Sequence, residues 1–436
     1  MINNKRTAQT IYVIVIPCLV VVCGMLLPMN TGNADSWRHG TVGRTTHHLH
    51  SPDGADSTNA EVFQKRLSAE PIQEVLPERY VRTSRRLNIL VFGTDGRIGE
   101  TYTRTDANHV ISLHLDSGTV EIIAVPRDTY SNLGQPDSLQ HLNIVSNVRA
   151  KRGMAAYLRE MSAITGVGAI PYYVEIGFSQ ALGIMEFLGY KEPQKTLRVL
   201  RSRRVYAGGD VQRAYNQAQF IAHTIKRHIA KVDGIVGDIL IRSGLMIVHT
   251  NLRAEHVKGI ICSLRERGFM SGGKTTVKIR IAPASHLRLE QVDFDNVAAL
   301  DSLCTRIEAL AAVIKAPRRT ARAHRQTPEY AKDLLWKMLC ECRADTMRPR
   351  EVIRRLQRPF EQRAWMQVQQ PSERYEIRRW FDDLLSKAYR DINRPEKAQG
   401  INLIVRREKE FFLLQEYFER QRSLAVSTLG SARGLQ

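Results

Sequence analysis

The N-terminal apolar run is the longest in the chain and predicts a membrane anchor. Ile11 to Met29 contains no charged residue over nineteen positions, which is enough to cross a bilayer as a helix. Lys5 and Arg6 precede it, so we expect residues 1–10 in the cytoplasm and the rest of the chain outside. A cleaved signal peptide and lipidation at Cys23 are alternatives, but both lack the small residues that such sites need.

After the anchor, the pattern of apolar and polar positions changes twice. Residues 30–85 are rich in Gly, Ser, Thr, Asp and His without clear periodicity and predict a linker. From Leu87 onward, short apolar runs predict strands at 87–93, 109–115, 119–125, 172–176 and 275–281. Helical spacing predicts helices at 154–165, 178–188, 212–231, 238–248, 255–267 and 295–315.

This mixture predicts the fold class and the division of the chain. Strands and helices that follow one another in this way favour an α/β (α+β) domain over residues 86–315, with a central mixed β-sheet flanked by helices. Residues 316–436 are rich in arginine and predict a basic, α-helical C-terminal extension. Its predicted helices are 329–342, 350–358, 375–388 and 405–420.

Charge and cysteine content narrow the functional classes. Lys and Arg number 64 against 44 Asp and Glu, a net charge of +20, which implies an anionic partner such as nucleic acid, anionic lipid or a phosphorylated substrate. The predicted location outside the cytoplasm, and the lack of a recognition helix or base-stacking motif, argue against nucleic acid. Cys262, Cys304, Cys340 and Cys342 follow the anchor, and their three possible pairings stay open.

Three polar motifs lie at the ends of predicted strands, where open sheets place their sites, and two more come later in the chain, the last running into a predicted helix. Arginine offers a planar fork of donors that matches phosphate oxygens, and Mg²⁺ prefers one or two carboxylates together with phosphate oxygens. Singly, these short motifs are equally compatible with surface ion pairs and a solvated basic face. They are Gly93-Thr-Asp-Gly96, Arg104-Thr-Asp106, Val125-Pro-Arg-Asp-Thr129, Arg201-Ser-Arg203 and Asp210-Val-Gln-Arg213, with Gln217 one turn later.

Taken in order, these motifs resemble the LytR-CpsA-Psr family of cell-envelope proteins over residues 86–310. The resemblance also includes Pro171 to Phe178 and Thr250-Asn-Leu252. It implies a mixed sheet flanked by helices, with a tunnel for a polyprenyl chain. The implied activity is Mg²⁺-assisted transfer of a glycopolymer from a polyprenyl-pyrophosphate carrier to peptidoglycan, in an envelope protein of the cytoplasmic membrane that contacts membrane lipid.

The resemblance also assigns roles to particular residues. Asp95 and Asp106 would hold Mg²⁺, and Asp106 would accept the proton of the attacking hydroxyl. The implied catalytic set is Arg127, Asp106 and Arg104. The implied pyrophosphate ligands are Arg104, Arg127, Arg201, Arg203, Arg213 and Gln217.

The chain departs from the family pattern at one of these motifs, which keeps other functions open. Asn216-Gln217-Ala218 stands where the family usually has a further arginine and a paired glutamine, so one phosphate contact is absent. Three hypotheses remain: a phosphotransferase, a protein that binds a prenyl pyrophosphate without transfer, and a membrane-anchored nucleic-acid-binding regulator.

Overall fold

The structure is a computed structural model. It describes residues 86–100, 103–203, 205–228, 241–242, 244–266, 277–313, 327–343 and 347–410. The predicted anchor at 11–29, the preceding N-terminus and the linker at 30–85 lie outside these residues. Among the residues described, no helix has the length and apolar character that a membrane span requires.

A six-stranded mixed sheet forms the centre of the domain, as predicted. Its order is β5-β4-β1-β2-β3-β6, with β1 parallel to β4, β3 parallel to β6 and the other neighbours antiparallel. The strands are β1 Arg86–Thr94, β2 Thr105–His114, β3 Thr119–Ala124, β4 Tyr172–Ile176, β5 His249–Thr250 and β6 Val277–Ile281.

Both faces of the sheet are covered, which explains why β1 is apolar almost without interruption. Leu87, Ile89 and Val91 point into one core, whereas Leu90 and Phe92 point into the core on the opposite face. The side-chain period of two along a strand divides the run in this way. The result is a three-layer sandwich of helices, sheet and helices.

One helix covers one face of the sheet, and the remaining helices of the domain cover the other. The helices are α1 Val145–Thr165, α2 Phe178–Phe187, α3 Pro193–Arg201, α4 Gly209–His228, α5 Ala254–Glu266 and α6 Val297–Val313. Tyr157 and Met161 of α1 are buried in the smaller core with Leu90 and Phe92. The larger core receives side chains from α2 to α6.

The structure extends one of the helix predictions and adds a helix that was not predicted. Gly153, with φ of 81°, interrupts α1 after its first eight residues. Those eight residues carry too few regularly spaced apolar positions to predict a helix, so the predicted helix begins only at 154. Helix α3 was not predicted, although Pro193 occupies its first turn, a favoured position for proline. Of the helix predicted at 238–248, residues 241–242 and 244–247 are described and are helical.

The C-terminal helices pack directly on the sheet domain. They are α7 Pro328–Arg343, α8 Pro349–Glu361, α9 Pro371–Asp391 and a helical segment at 395–410. Buried Trp365 and Met366 join the larger core, and Arg374 Nη1 lies 2.7 Å from Glu186 of α2. Most of the helix predicted at 405–420 lies outside the described residues. These helices therefore share one core with α2.

Candidate functional site

The polar motifs predicted from the sequence meet at one edge of the sheet. Because β1 and β2 are antiparallel, the end of β1 and the start of β2 are adjacent, with Thr94 opposite Thr105. The end of β3 returns to the same edge beside His109. The loop after α3 and the first turn of α4 complete the group, so residues far apart in sequence become neighbours.

Arg127 lies at the centre of this group. Its Nη1 donates to Asp106 Oδ1 at 2.5 Å, and its Nε donates to Asp128 Oδ1 at 3.0 Å. Burial lowers the pKa of Arg127, but Asp106, Asp128 and Asp210 outweigh that effect and raise the pKa above its usual value. The guanidinium is therefore fixed in position and charged at every physiological pH.

Arg203 and Arg213 join the same network through carboxylates. Arg203 Nη1 donates to Asp128 Oδ2 at 3.1 Å, and the backbone N–H of Asp128 donates to Asp210 Oδ2 at 3.3 Å. Asp210 accepts a hydrogen bond from Arg213. Arg213 is almost fully buried, and its Nε has no hydrogen-bond partner among the described residues. Burial lowers the pKa of Arg213, and Asp210 opposes this. An unpartnered donor of this kind suits an anionic ligand.

Asp95 and Asp106 form a close pair of carboxylates. Asp95 Oδ1 accepts the backbone N–H of Arg104 at 2.9 Å, while the Arg104 side chain is exposed next to it. Burial and, second, repulsion from Asp106 raise the pKa of Asp95 above its usual value. A divalent cation would relieve that repulsion. Within the described residues, no group of three or more His, Cys, Asp or Glu side chains is placed to hold a metal.

An apolar cavity opens at this cluster. Its space, including the open mouth, measures about 970 Å³. Asp95, Asp106, Arg201 and Gln217 are among its polar lining groups. Its apolar wall comes from β1, α2, α3 and α4 and includes Val91, Phe92, Ile184, Met185, Leu197, Leu200, Phe220 and Ile221. This arrangement fits a ligand with a charged head and a hydrocarbon tail.

Arg201 and Gln217 lie where the charged cluster meets the apolar cavity. The guanidinium of Arg201 lies over the Phe178 ring, 4.8 Å from its centroid. Gln217 Nε2 donates to the Leu200 carbonyl at 2.9 Å, and its buried Oε1 has no hydrogen-bond partner within the described part of the chain. All eight residues singled out from the sequence therefore belong to one charged cluster or to the cavity beside it.

The departure from the family motif concerns residues that face the interior. Asn216 and Ala218 are fully buried, and Asn216 Oδ1 accepts a hydrogen bond from Gln212 Nε2 at 2.7 Å. Gln212 in turn exchanges two hydrogen bonds with the backbone of Glu290. These positions serve to hold α4 against the loop that follows β6.

Sequence reasoning missed the roles of three residues at the site. Asp128 and Asp210 connect the arginines to one another, but acidic residues beside arginine in short motifs gave no indication of which ones would pair. His109 is buried in the cavity wall, where its Nε2 donates to the Ala214 carbonyl at 3.2 Å. A histidine inside an otherwise apolar strand was the available signal.

The fold and this site define a class: an α/β protein with arginines and carboxylates at the mouth of an apolar cavity. Residues 52–186 match the LytR_cpsA_psr family. The resemblance to this family, seen in the motifs, is therefore confirmed over the matched residues. Arg201, Arg203, Arg213 and Gln217 lie beyond the matched residues, so the geometry alone places them at the site.

Individual proteins are similar to this chain over about half its length. The polyisoprenyl-teichoic acid–peptidoglycan teichoic acid transferase TagU of Bacillus anthracis is 24% identical over 187 residues, which cover 41% of this chain and 53% of TagU. The chain thus spans about half the length of the curated relatives it matches. The solved structure of B. subtilis TagV has 16% identity and a TM-score of 0.36, covering 51% of this chain and 98% of that one. B. subtilis TagU has 16% identity and a TM-score of 0.33, covering 53% and 99%.

Proposed function

We propose that this protein is an extracytoplasmic phosphotransferase, anchored in the cytoplasmic membrane, that moves a glycopolymer from a polyprenyl-pyrophosphate carrier to peptidoglycan or another envelope acceptor. The observation that carries the proposal is the convergence of Arg127, Arg203 and Arg213 in one network of carboxylates, which reaches the apolar cavity through Asp106. A polyprenyl pyrophosphate has both features that this site accommodates, a charged head and a long apolar chain. The relative TagU is named as a polyisoprenyl-teichoic acid–peptidoglycan teichoic acid transferase, which is a transfer of the same kind.

The arginines would act mainly by neutralising charge on the phosphates. Phosphoryl transfer depends largely on positioning and electrostatic stabilisation, because the charge spreads over the oxygens of the transferred group. Arg127 and Arg213 are held by carboxylates from opposite sides of the network, so they would need little reorganisation when the ligand binds. Arg201, the last residue of α3, and Arg203, on the loop that follows, would close the outer side of the pyrophosphate.

The bond changes follow from the chemistry of the ligand. A sugar hydroxyl of the acceptor attacks the phosphorus that carries the glycan, and the bond to the bridging oxygen breaks. Polyprenyl phosphate leaves, and the glycan remains on the acceptor as a phosphodiester. Asp106 is the carboxylate proposed to accept the hydroxyl proton; Arg127, 2.5 Å away, orients it.

Mg²⁺ is the proposed cofactor. Burial and, second, repulsion from Asp106 raise the pKa of Asp95, and two such neighbouring carboxylates fit a hard cation that takes oxygen ligands. When bound, the ion would supply Lewis-acid stabilisation of the departing phosphate. Asp95 and Asp106 would hold it, and the backbone N–H of Arg104 fixes the Asp95 carboxylate in place.

The test is the release of polyprenyl phosphate from a glycan-bearing polyprenyl pyrophosphate, with Mg²⁺ and a peptidoglycan acceptor. We expect Arg127→Ala and Arg213→Ala to lower the rate by about 100-fold or more, the effect of removing one group that stabilises transition-state charge. Arg379→Ala is the matched control, because Arg379 is an exposed arginine of α9 outside the site. Release that is unchanged in both site variants would contradict the proposal.

Binding without transfer is the second candidate, and one observation favours it. Asn216 and Ala218, where the family motif usually has a further arginine and a paired glutamine, are fully buried and offer no phosphate contact, so the site has fewer groups to stabilise the charge of a transfer step. Tight binding of the prenyl pyrophosphate by the wild-type protein, with no polyprenyl phosphate released, would support this candidate over the first.

A further inference from the structure

A second cleft lies next to the apolar cavity and shares part of its wall. Asp95, Phe178 and Arg201 line both spaces, so a ligand held by the arginines can extend from one into the other. The second cleft measures about 770 Å³ with its open mouth. Its remaining wall comes from the loop at 96–100 and from the C-terminal helices.

The C-terminal helices contribute three side chains to this cleft. Tyr330 and Leu334 lie four residues apart on α7, so they project from the same face of that helix. Gln367 lies deeper in the cleft, where its Nε2 donates to Ser179 Oγ of α2 at 2.7 Å. The cleft is therefore complete only when the C-terminal region is packed on the sheet domain.

The opposite wall is fixed by the same region. Gln362 Oε1 accepts the backbone N–H of Gly99 at 2.8 Å, and its Nε2 donates to the Arg97 carbonyl at 2.9 Å. Arg358 Nε donates to the Glu100 carbonyl at 3.2 Å. Three side-chain contacts from α8 and the residue after it thus hold a short exposed loop in one conformation, which is a preorganised wall rather than an adaptable one.

The lining chemistry indicates the class of ligand. Arg97 and Glu100 offer planar charged groups at the rim, and Tyr330 offers an aromatic ring. Leu334 and Ile98 add apolar surface between them. Sugars present a ring of hydroxyls at their edge and apolar C–H groups on their faces, so they bind where planar hydrogen-bonding groups alternate with aromatic or aliphatic surface.

We propose that this cleft is a saccharide subsite, built by the C-terminal helices beside the phosphate-binding arginines. This inference rests on the proposed function and assigns the C-terminal region a direct part in it. The saccharide has two possible sources: the first sugar of the lipid-linked donor, or the sugar of the acceptor that carries the attacking hydroxyl. Both lie next to the phosphate during transfer.

Two binding measurements on the full chain in mild detergent separate these sources. The first compares the affinity for a prenyl pyrophosphate that bears one sugar with that for the bare prenyl pyrophosphate. The second measures a soluble peptidoglycan disaccharide with the bare prenyl pyrophosphate already bound. Tyr330→Ala and Arg97→Ala are the test variants. Lys337→Ala is the control, because Lys337 is an exposed residue of α7 that does not line the cleft.

We expect both test variants to weaken the saccharide-dependent affinity about tenfold, as the loss of one good polar or aromatic contact would. Affinity for the bare prenyl pyrophosphate should not change. A loss confined to the sugar-bearing donor assigns the cleft to the donor, and a loss confined to the disaccharide assigns it to the acceptor. The inference is overturned if the wild type gains nothing from a sugar, or if both test variants behave like Lys337→Ala. The proposed function itself fails if the wild type has no affinity for the bare prenyl pyrophosphate, and that result is separate from the outcomes above.

Discussion

His109 provides a quantitative test of how the site is assembled. Its imidazole is fully buried in β2 and donates to the Ala214 carbonyl of α4, next to Arg213. This hydrogen bond joins the two elements that carry Asp106 and Arg213. Burial lowers the pKa of His109 from 6.5 to about 4, since the interior penalises the charged ring more than the carbonyl favours it.

The sign of the resulting pH dependence follows from linkage. In the unfolded chain the ring takes up a proton as the pH falls below about 6.5, whereas in the folded protein it stays neutral until about pH 4. Protons therefore favour the unfolded state in this window, and stability is lost as the pH falls. The full difference corresponds to about 3 kcal/mol, of which about 2 kcal/mol is lost between pH 7 and pH 5.

The assay is urea denaturation of the full chain in mild detergent at pH 7 and pH 5. His109→Gln keeps a donor for the Ala214 carbonyl but cannot titrate. We expect its free energy of unfolding to fall by about 2 kcal/mol less than that of the wild type between the two pH values. His286→Gln is the control, because His286 is exposed. If the wild type and His109→Gln lose the same amount, the ring is not held neutral and the reasoning is wrong.

Three further predictions concern the packing of the C-terminal helices and the outer arginine. A Cβ on Gly183 of α2 would lie 2.4 Å from Met366 Sδ, so Gly183→Ala should destabilise the protein by about 1–3 kcal/mol in urea denaturation. The cost should shrink in a Met366→Ala background; an equal cost in both backgrounds would contradict the contact. Trp365 Nε1 donates to buried Glu408 at 2.6 Å, so Trp365→Phe should cost about 1–3 kcal/mol, and an unchanged unfolding midpoint would refute this. The Arg203 side chain is 42% exposed in its ion pair, so Arg203→Ala should change stability by less than about 1 kcal/mol. It should nevertheless weaken prenyl-pyrophosphate binding in calorimetry, and unchanged binding would remove Arg203 from the site.

Local sequence was sufficient to predict most of the sheet. The apolar run after Leu87 and the short run at 172–176 each carry their signal within a few residues, and the structure has strands at both places; Asp116-Ser-Gly118 forms the turn between β2 and β3. Such signals are strong because the alternation of side chains along a strand and the demands of a tight turn are local properties. The first half of α1 lacked an equally regular pattern, and α3 is only nine residues long.

The sequence by itself indicated the arginines of the charged cluster and the carboxylates Asp95 and Asp106, because these residues lie in short polar motifs at strand ends and before a later helix. Only the tertiary structure decided how they pair. Asp128 joins Arg203 across 75 positions of the chain, and such a contact depends on how α3 and α4 cross the sheet. The tertiary structure also decided that Tyr330 and Arg201 line the same cleft. Packing between distant helices is set by the shape of the shared core and not by any pattern within either segment.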